Sequence, residues 1–545
     1  MAAYRLLLVS DQSPKSVCDL AIRIESKVPN TKIGGIVLQV TSLRKRWFPS
    51  TIKRFVNAIY FLVHAFPAKW SASVDFTADD LARECRRLEI PLLIVNSFSG
   101  PDITNVVNAS RSDLGILVGL RTIDPSTFTR PKDGFVHVWS ETDSLVEAGT
   151  SRCSSEACVH LKSAPDPTAA SREVSVQLPI QDYDTPKSVA LKTELISNDL
   201  VVQMVNSYSR GRIAHAAEEA NRWAEQMLPG YFSPSSDFRS LSKSLMWRTR
   251  PTWKLVFHTL VLFSPYVIIR NWSRRWRKKF PVVIFYHHLI SDRPHRLGMP
   301  TELFLREALF LKKFYNVVTL SQAIEMLQSG SVEAPTVALT FDDGYEDNFV
   351  NLRAVAEATN LPVTLFVCSQ VVEGRGELQH DITNGQRNCK SLGWEQLRYW
   401  QSDTTEVGSH TQTHFDCGSS DRPSLEKEIV GSRDDIEHSL GEPVRFFAFP
   451  WGQIHNISAG ALEIATSTYR CCFSTEPAEN VPRSGVVLEV VGRKALPSTP
   501  WELELTLQSI LDWTMRFKFR RKHLKNKTYS THEEHQSIPL RHEAS

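Results

Sequence analysis

A chain of 545 residues with 42% hydrophobic and 23% charged residues is too long for one core and too apolar for a disordered protein, so two or three globular domains are expected. The net charge of +3 gives no case for nucleic acid as a partner. Nine cysteines, an odd number that includes the neighbours Cys471 and Cys472, form no regular disulfide framework and favour a reducing compartment.

The first apolar run, Tyr4 to Val9, is of strand length and shorter than the apolar core of a signal peptide, so a cytoplasmic protein is expected. Runs at Leu6 to Val9, Ile36 to Leu38, Leu92 to Val95, Ile116 to Val118 and Phe135 to Val138 predict strands. Segments such as Asp79 to Glu89 predict helices between them, which together make a doubly wound parallel sheet. Ser10-Asp11-Gln12-Ser13 follows the first strand where a glycine-rich phosphate loop would stand, so no dinucleotide cofactor is indicated.

At Ile90-Pro91, Ser112 to Gly119, Gly134 to Ser140, Ala157 to Asp166, Gln177 to Ile180 and Asp184 to Ser188 this part resembles formyltransferases that use a formyl-folate donor. The resemblance implies a catalytic Asn-x-His at the end of a strand, but His137-Val138-Trp139 stands at that position and the loop expected after Ser140 is missing. Asp166 matches the family's catalytic aspartate. Without the histidine no group manages protons at an attacking amine, so residues 1–213 are expected to form a formyltransferase-like domain without catalysis.

Residues 214–279 read as a helical, basic and aromatic connector. Ala214 to Met227 predicts a helix ended by Pro229-Gly230. From Trp247 to Phe280 there are nine Lys or Arg and no Asp or Glu. The apolar run Leu255 to Ile269 is shorter than the roughly 20 residues of a spanning helix, and Arg270, Arg274, Arg275, Arg277, Lys278 and Lys279 follow it with Trp272 and Trp276 among them. That composition predicts contact with an anionic membrane surface, with the protein peripheral at its inner face. A core helix beside a solvated basic loop is the alternative.

Thr336 to Leu339 is an apolar run ending in Thr340-Phe341-Asp342-Asp343-Gly344-Tyr345, a buried strand that delivers two carboxylates to a sheet or barrel rim. Downstream, His410 and His414 lie four residues apart and can close on one metal ion with a carboxylate as the third ligand, leaving a position open for water. Thr340 to Gly344, His410 to His414 and Phe447-Ala448-Phe449-Pro450-Trp451-Gly452 resemble, in order and spacing, the three motifs of the polysaccharide deacetylases, carbohydrate esterase family 4. Pro281 to His288, Trp394 to Leu397 and Phe473 to Thr475 are also similar, so the resemblance covers about residues 280–500.

The resemblance implies a distorted (β/α) barrel over residues 280–515, followed by a loosely ordered tail over 516–545. It implies Asp343, His410 and His414 as ligands of a divalent metal, zinc by expectation, Asp342 as the base, and Pro450, Trp451 and Arg493 in contact with substrate or base. The general-acid histidine usual near the end of the domain is absent between Arg493 and Phe519, and in a permuted branch it stands at the front after a Tyr, which makes His287 the expected acid and His288 the alternative. Ala448 replaces the arginine of the commoner third motif, and Arg493 is the candidate to pair with the base. The expected activity is metal-dependent hydrolysis of an N-acetyl or N-formyl group from an amino sugar in a polysaccharide or lipid-linked sugar. A silent scaffold in glycan assembly and a formyl or acyl transferase are the alternatives. Since all these motifs lie after residue 280, removal of residues 1–210 is expected to raise the KM for a natural glycolipid while leaving hydrolysis of a small N-acyl sugar nearly unchanged.

Overall fold

The computed structural model describes residues 3–39, 61–65, 78–95, 110–119, 131–140, 156–164, 172–228, 260–374, 376–386, 389–485 and 488–510. Asp166, residues 229–259 of the connector and the chain after 510 lie outside the described residues.

In the N-terminal part Tyr4–Ser10 sits at the middle of a seven-stranded sheet. Thr31–Gln39 and Leu92–Val95 lie on one side of it; Leu114–Val118, Phe135–Ser140, Glu156–Ala164 and Arg172–Pro179 follow in turn on the other. The first five strands of the chain are parallel, as their apolar runs predict for strands covered on both faces. The last two differ from a fully parallel sheet, pairing antiparallel with their neighbours. The link between them, 165–171, is too short for the dozen or more residues of a crossover, so the chain turns back on itself.

The helix Pro186–Ser209 follows, started by a capping box between Thr185 and Ser188 with Pro186 in the first turn. It buries residues on all sides, as a helix does when it is sandwiched between two bodies. One of these is the N-terminal sheet. The other is a second sheet built wholly from parallel strands, ordered Val490–Gly492, Cys471–Ser474, Phe446–Ala448, Thr405–Ser409, Val363–Val367, Thr336–Phe341, Val282–His287 and Lys494–Ala495. The two ends of that order are consecutive in the chain. Only Arg493 separates them, so the segment 490–495 pairs with the last strand through its first half and with the first strand through its second, and the sheet closes into a distorted barrel. One continuous apolar core runs from Leu6 and Trp223 to Phe341 and Leu503 and joins the two sheets.

Polar groups cross the same boundary. Asp199, buried on the long helix, accepts from Arg353 Nη2 at 2.5 Å, Tyr399 Oη at 2.8 Å and Arg23 Nη1 at 3.0 Å. Lys192 lies 2.6 Å from both Asp184 and Asp292, all three buried or nearly so. Gln396 Nε2 donates to the Met227 carbonyl at 2.7 Å. A buried carboxylate is tolerable only with such partners, and these tie the N-terminal part to the barrel.

Candidate active site

Strand Thr336–Phe341 is buried along its whole length and ends at Asp342 and Asp343. Arg493 Nη1 and Nη2 donate to Asp342 Oδ1 at 2.6 Å and Oδ2 at 2.8 Å, and Nη1 also donates to Thr340 Oγ1 at 2.9 Å. Arg493 is fully buried at the closing seam of the barrel, so its position follows from the closure itself. Burial works to raise the Asp342 carboxyl, but Arg493 and the nearby His410 outweigh it and hold the group below its ordinary range. The carboxylate is therefore ionised, fixed by a two-pronged donor and aimed at the rim.

Asp343 takes the opposite environment. It turns at φ 73°, and burial with the charges of Asp342 and Asp381 pushes its carboxyl well above the usual range. Both its oxygens are buried without a hydrogen-bond partner. Such a group calls for a cation. His410 Nε2 and His414 Nε2 stand 3.5 Å and 3.4 Å from Asp343 Oδ1, and the ligand atoms of the three residues all lie within 4.8 Å of one another. His410 donates Nδ1–H to the Ala448 carbonyl at 2.7 Å, which leaves the Nε2 lone pair facing the cluster. Burial pushes His410 down to about 4, and burial with the neighbouring His410 and His380 pushes His414 well below the ordinary imidazole range, so both are neutral as ligation requires. A carboxylate and two neutral imidazoles gathered in this way fit a divalent ion.

The motif turns are held from behind. Glu428 accepts from the N–H groups of Gln412 and Thr413, each at 2.9 Å, and from Thr413 Oγ1 at 2.8 Å. Asp343, Gly344, Thr411, His414, Trp451 and Gly452 all have positive φ, a concentration of strained backbone at one rim. Gly344 is needed on two grounds, φ 70° and the Val367 side chain 3.0 Å from where a Cβ would stand.

His287 and His288 follow the strand Val282–His287. Register pairs Tyr286 with Thr340 and His287 with Phe341. Thr340 and Asp342 meet Arg493, whose guanidinium lies 5.3 Å from the Tyr286 ring, so Tyr286 shares their face. Two residues on, His288 returns to that side, and its ring sits 5.9 Å from Tyr286. Burial brings His288 to about 3 against the pull of Asp342, with His287, His410 and Arg493 adding to the depression. His287 faces Phe341 instead, at 6.3 Å; burial brings it to about 4, and its Nε2 has no partner. The geometry thus favours the alternative histidine over the expected one.

Pro450 and Trp451 form the rim opposite. The Trp451 ring is half-exposed and meets His414 edge to face at 4.5 Å, while its carbonyl accepts from Thr475 Oγ1 at 2.7 Å. Several residues at the rim had no motif to mark them. His380 packs 4.9 Å from His414 with Nε2 3.7 Å from Asp343 Oδ2, and Tyr345 Oη donates to Asp381 at 2.6 Å. His295, Asp381 and Cys389 also lie close enough to hold an ion. However, His295 Nδ1 accepts from the Leu297 N–H at 3.1 Å, so a neutral His295 carries its proton on Nε2, facing Asp381 at 3.5 Å. His295 Nε2 and Asp381 Oδ1 are both buried without a hydrogen-bond partner, and Asp381 also receives the Tyr345 hydroxyl. The only sequence signal for this group is its place in the loops after two barrel strands.

Residues 329–468 match the family model described as polysaccharide deacetylase. The chain carries a polysaccharide deacetylase domain. A curated relative, "Putative polysaccharide deacetylase YxkH" of Bacillus subtilis (strain 168), is 22% identical over 201 residues, 36% of this chain. The deacetylase-bearing chain spans 65% of that relative's length. Among solved structures, the deacetylase PplD of Streptococcus pyogenes in complex with acetate is 18% identical, with a TM-score of 0.36, covering 42% of this chain and 98% of that one. Glycinamide ribonucleotide transformylase 1 of Symbiobacterium toebii is 11% identical, with a TM-score of 0.25, covering 38% of this chain and 89% of that one.

Proposed function

We propose that the protein hydrolyses an N-acyl group, acetyl or formyl, from an amino sugar in a polysaccharide or lipid-linked sugar. The observation that carries this is the pair of adjacent carboxylates in opposite states: Asp342 ionised by Arg493, and Asp343 unpartnered beside two neutral imidazoles. A divalent ion held by Asp343, His410 and His414, zinc being suited to that donor set, would supply Lewis acidity to the acyl carbonyl and to the attacking water. Asp342 takes the proton from that water, and Arg493 keeps it ionised and in place until it does. The backbone N–H of Trp451 serves the oxyanion, and the Pro450-Trp451 turn lies against the sugar. His288, held neutral at rest by burial, relays to the leaving amine the proton that Asp342 took from the attacking water, which returns Asp342 to its ionised state.

The N-terminal sheet has no part in transfer. The His137 and Trp139 rings lie tilted with centroids 4.7 Å apart, and Trp139 stacks on His160 at 5.2 Å, which fills the strand end with aromatic rings. We assign residues 1–213 to binding and support, 214–279 to a connector, 280–515 to the deacetylase and 516–545 to a tail, with the protein acting at the inner membrane face. The intact base and ligand set weigh against a silent scaffold. The test is hydrolysis of N-acetyl and N-formyl amino sugars with and without chelator. Release of a free amine that stops on chelation and returns with zinc supports the reading; inertness toward both sugars in the metal-loaded protein overturns it.

A further inference from the structure

The helix Pro265–Arg277 is amphipathic the wrong way round for a helix packed on its own protein. Ser264 caps it, its side chain accepting from the Val267 N–H, and Pro265 starts it, so its rotational phase is well defined. At about 100° per residue, Val267, Asn271 and Arg274 share the face turned inward. That face is largely polar. Asn271 Nδ2 donates to the Val63 carbonyl and to Gln508 Oε1, both at 3.0 Å, and Arg274 grips Glu479 with contacts of 2.9 Å and 2.8 Å. Tyr266, Ile269 and Trp276 fall within an arc on the opposite side and are 71%, 68% and 83% exposed. Phe263 and Leu260 continue the three-residue spacing in the preceding turn, at 48% and 68% exposed.

A surface helix ordinarily turns its apolar stripe to the core. Here the protein spends its polar groups on docking the helix and leaves tryptophan, isoleucine and tyrosine facing out. We propose that this outward face is a docking surface for an anionic membrane, with the helix lying in the interface and the barrel above it. Charge selects that occupant. Exposed Arg277 and Lys278 stand at the end of the stripe beside Trp276, with exposed Arg275 on its other flank. Trp beside Arg and Lys at one level is the composition of a lipid headgroup contact. The Arg275 side chain also donates to the Ala65 carbonyl, and Lys278 pairs with Glu333 at 2.6 Å, so the segment is anchored while its outer face stays clear. Among the described residues no helix is long and apolar enough to cross a membrane, which agrees with a helix that lies on one. The inference rests on the phase of this helix and stands whether or not the deacylase reading holds.

The test is sedimentation of the full-length protein with vesicles of phosphatidylcholine alone and of phosphatidylcholine with phosphatidylglycerol. Binding to the anionic vesicles, weakened by salt, is expected. The variant Tyr266→Ser, Ile269→Ser, Trp276→Ser should bind about tenfold or more weakly with an unchanged melting temperature, because the three side chains face solvent. Arg277→Gln with Lys278→Gln should weaken binding to the anionic vesicles and leave any residual binding insensitive to salt. Absence of binding, equal binding by the triple variant, or equal affinity for neutral vesicles would overturn the proposal. So would concentration-dependent dimerisation abolished by the triple variant, since a second copy of the chain would then be the occupant.

Discussion

The protein contains two sheets, one mixed with five parallel strands and one wholly parallel, that differ in what stands at the carboxyl ends of their parallel strands. In the barrel those ends carry His288, Asp342, Asp343, His410 and Trp451, and closure of the sheet brings them within reach of one another. In the N-terminal sheet the matching ends carry Ser10, Val118 and Ser140, with Trp139 sandwiched between His137 and His160. An open sheet spreads its strand ends along a line, whereas a closed one gathers them round a ring, so the same strand-and-helix alternation gives a shared site only in the second case. The N-terminal sheet contributes in another way: its long helix supplies Asp199 and Lys192 to pairs buried against the barrel.

The largest effect that would sharpen this contrast is at the base. Asp342→Asn should lower turnover by about 10²–10⁴-fold while metal content by atomic spectroscopy stays full, whereas His410→Ala should lose both metal and activity. An active Asp342→Asn protein would break the assignment of chemistry to the barrel.

The next effect is on stability and starts from the other sheet. Asp199→Ala leaves the fully buried Arg353 without its carboxylate, a change that costs about 3–5 kcal/mol for a broken buried pair. Denaturant unfolding should show the loss in a single transition that includes the barrel. Two separate transitions, with the barrel's unchanged, would mean that the parts fold independently. The same contacts bear on removal of residues 1–210, expected to raise the KM for a natural glycolipid and leave hydrolysis of a small N-acyl sugar nearly unchanged: truncation strips part of the shared core and the partner of Arg353, so equal losses on the two substrates would show that the N-terminal part supports the barrel.

A smaller effect concerns pH. In chelated protein His287, His288 and His410, held down to about 4, 3 and 4, are neutral when folded and protonated when unfolded between those values and about 6.5. Their contribution is full above pH 6.5 and is lost as pH falls toward 4, because the unfolded chain binds more protons there. Asp343, raised in the folded state, works the other way. With His414, which is held down as well, four groups against one predict a melting temperature that falls on acidification across this window, and a flat profile would show that the histidines are solvated. The smallest effect should come from the N-terminal strand end: His137→Ala is expected to leave deacylation within about twofold, as surface changes remote from a site do. A large loss of kcat would give that sheet a part in the chemistry.

Much of this was legible in the chain because it is local. Strand runs such as Thr336 to Leu339 are set by apolar pattern, and the Asp342-Asp343 and His410 to His414 spacings place ligands through one strand end and one turn. The resemblance at the three motifs added their roles. Other features depended on contacts between distant segments. That Arg493 reaches Asp342, 151 residues away, follows from the closing of the barrel through the segment around it. Which of His287 and His288 faces the site depends on register against a strand some fifty residues on. His380, Asp381 and His295 carry no spacing signal because loops from different strands bring them together. The antiparallel end of the first sheet and the inverted face of helix Pro265–Arg277 likewise came from what packs against what. Local pattern fixes a residue's phase within its own element, and only tertiary packing decides which neighbour that phase will meet.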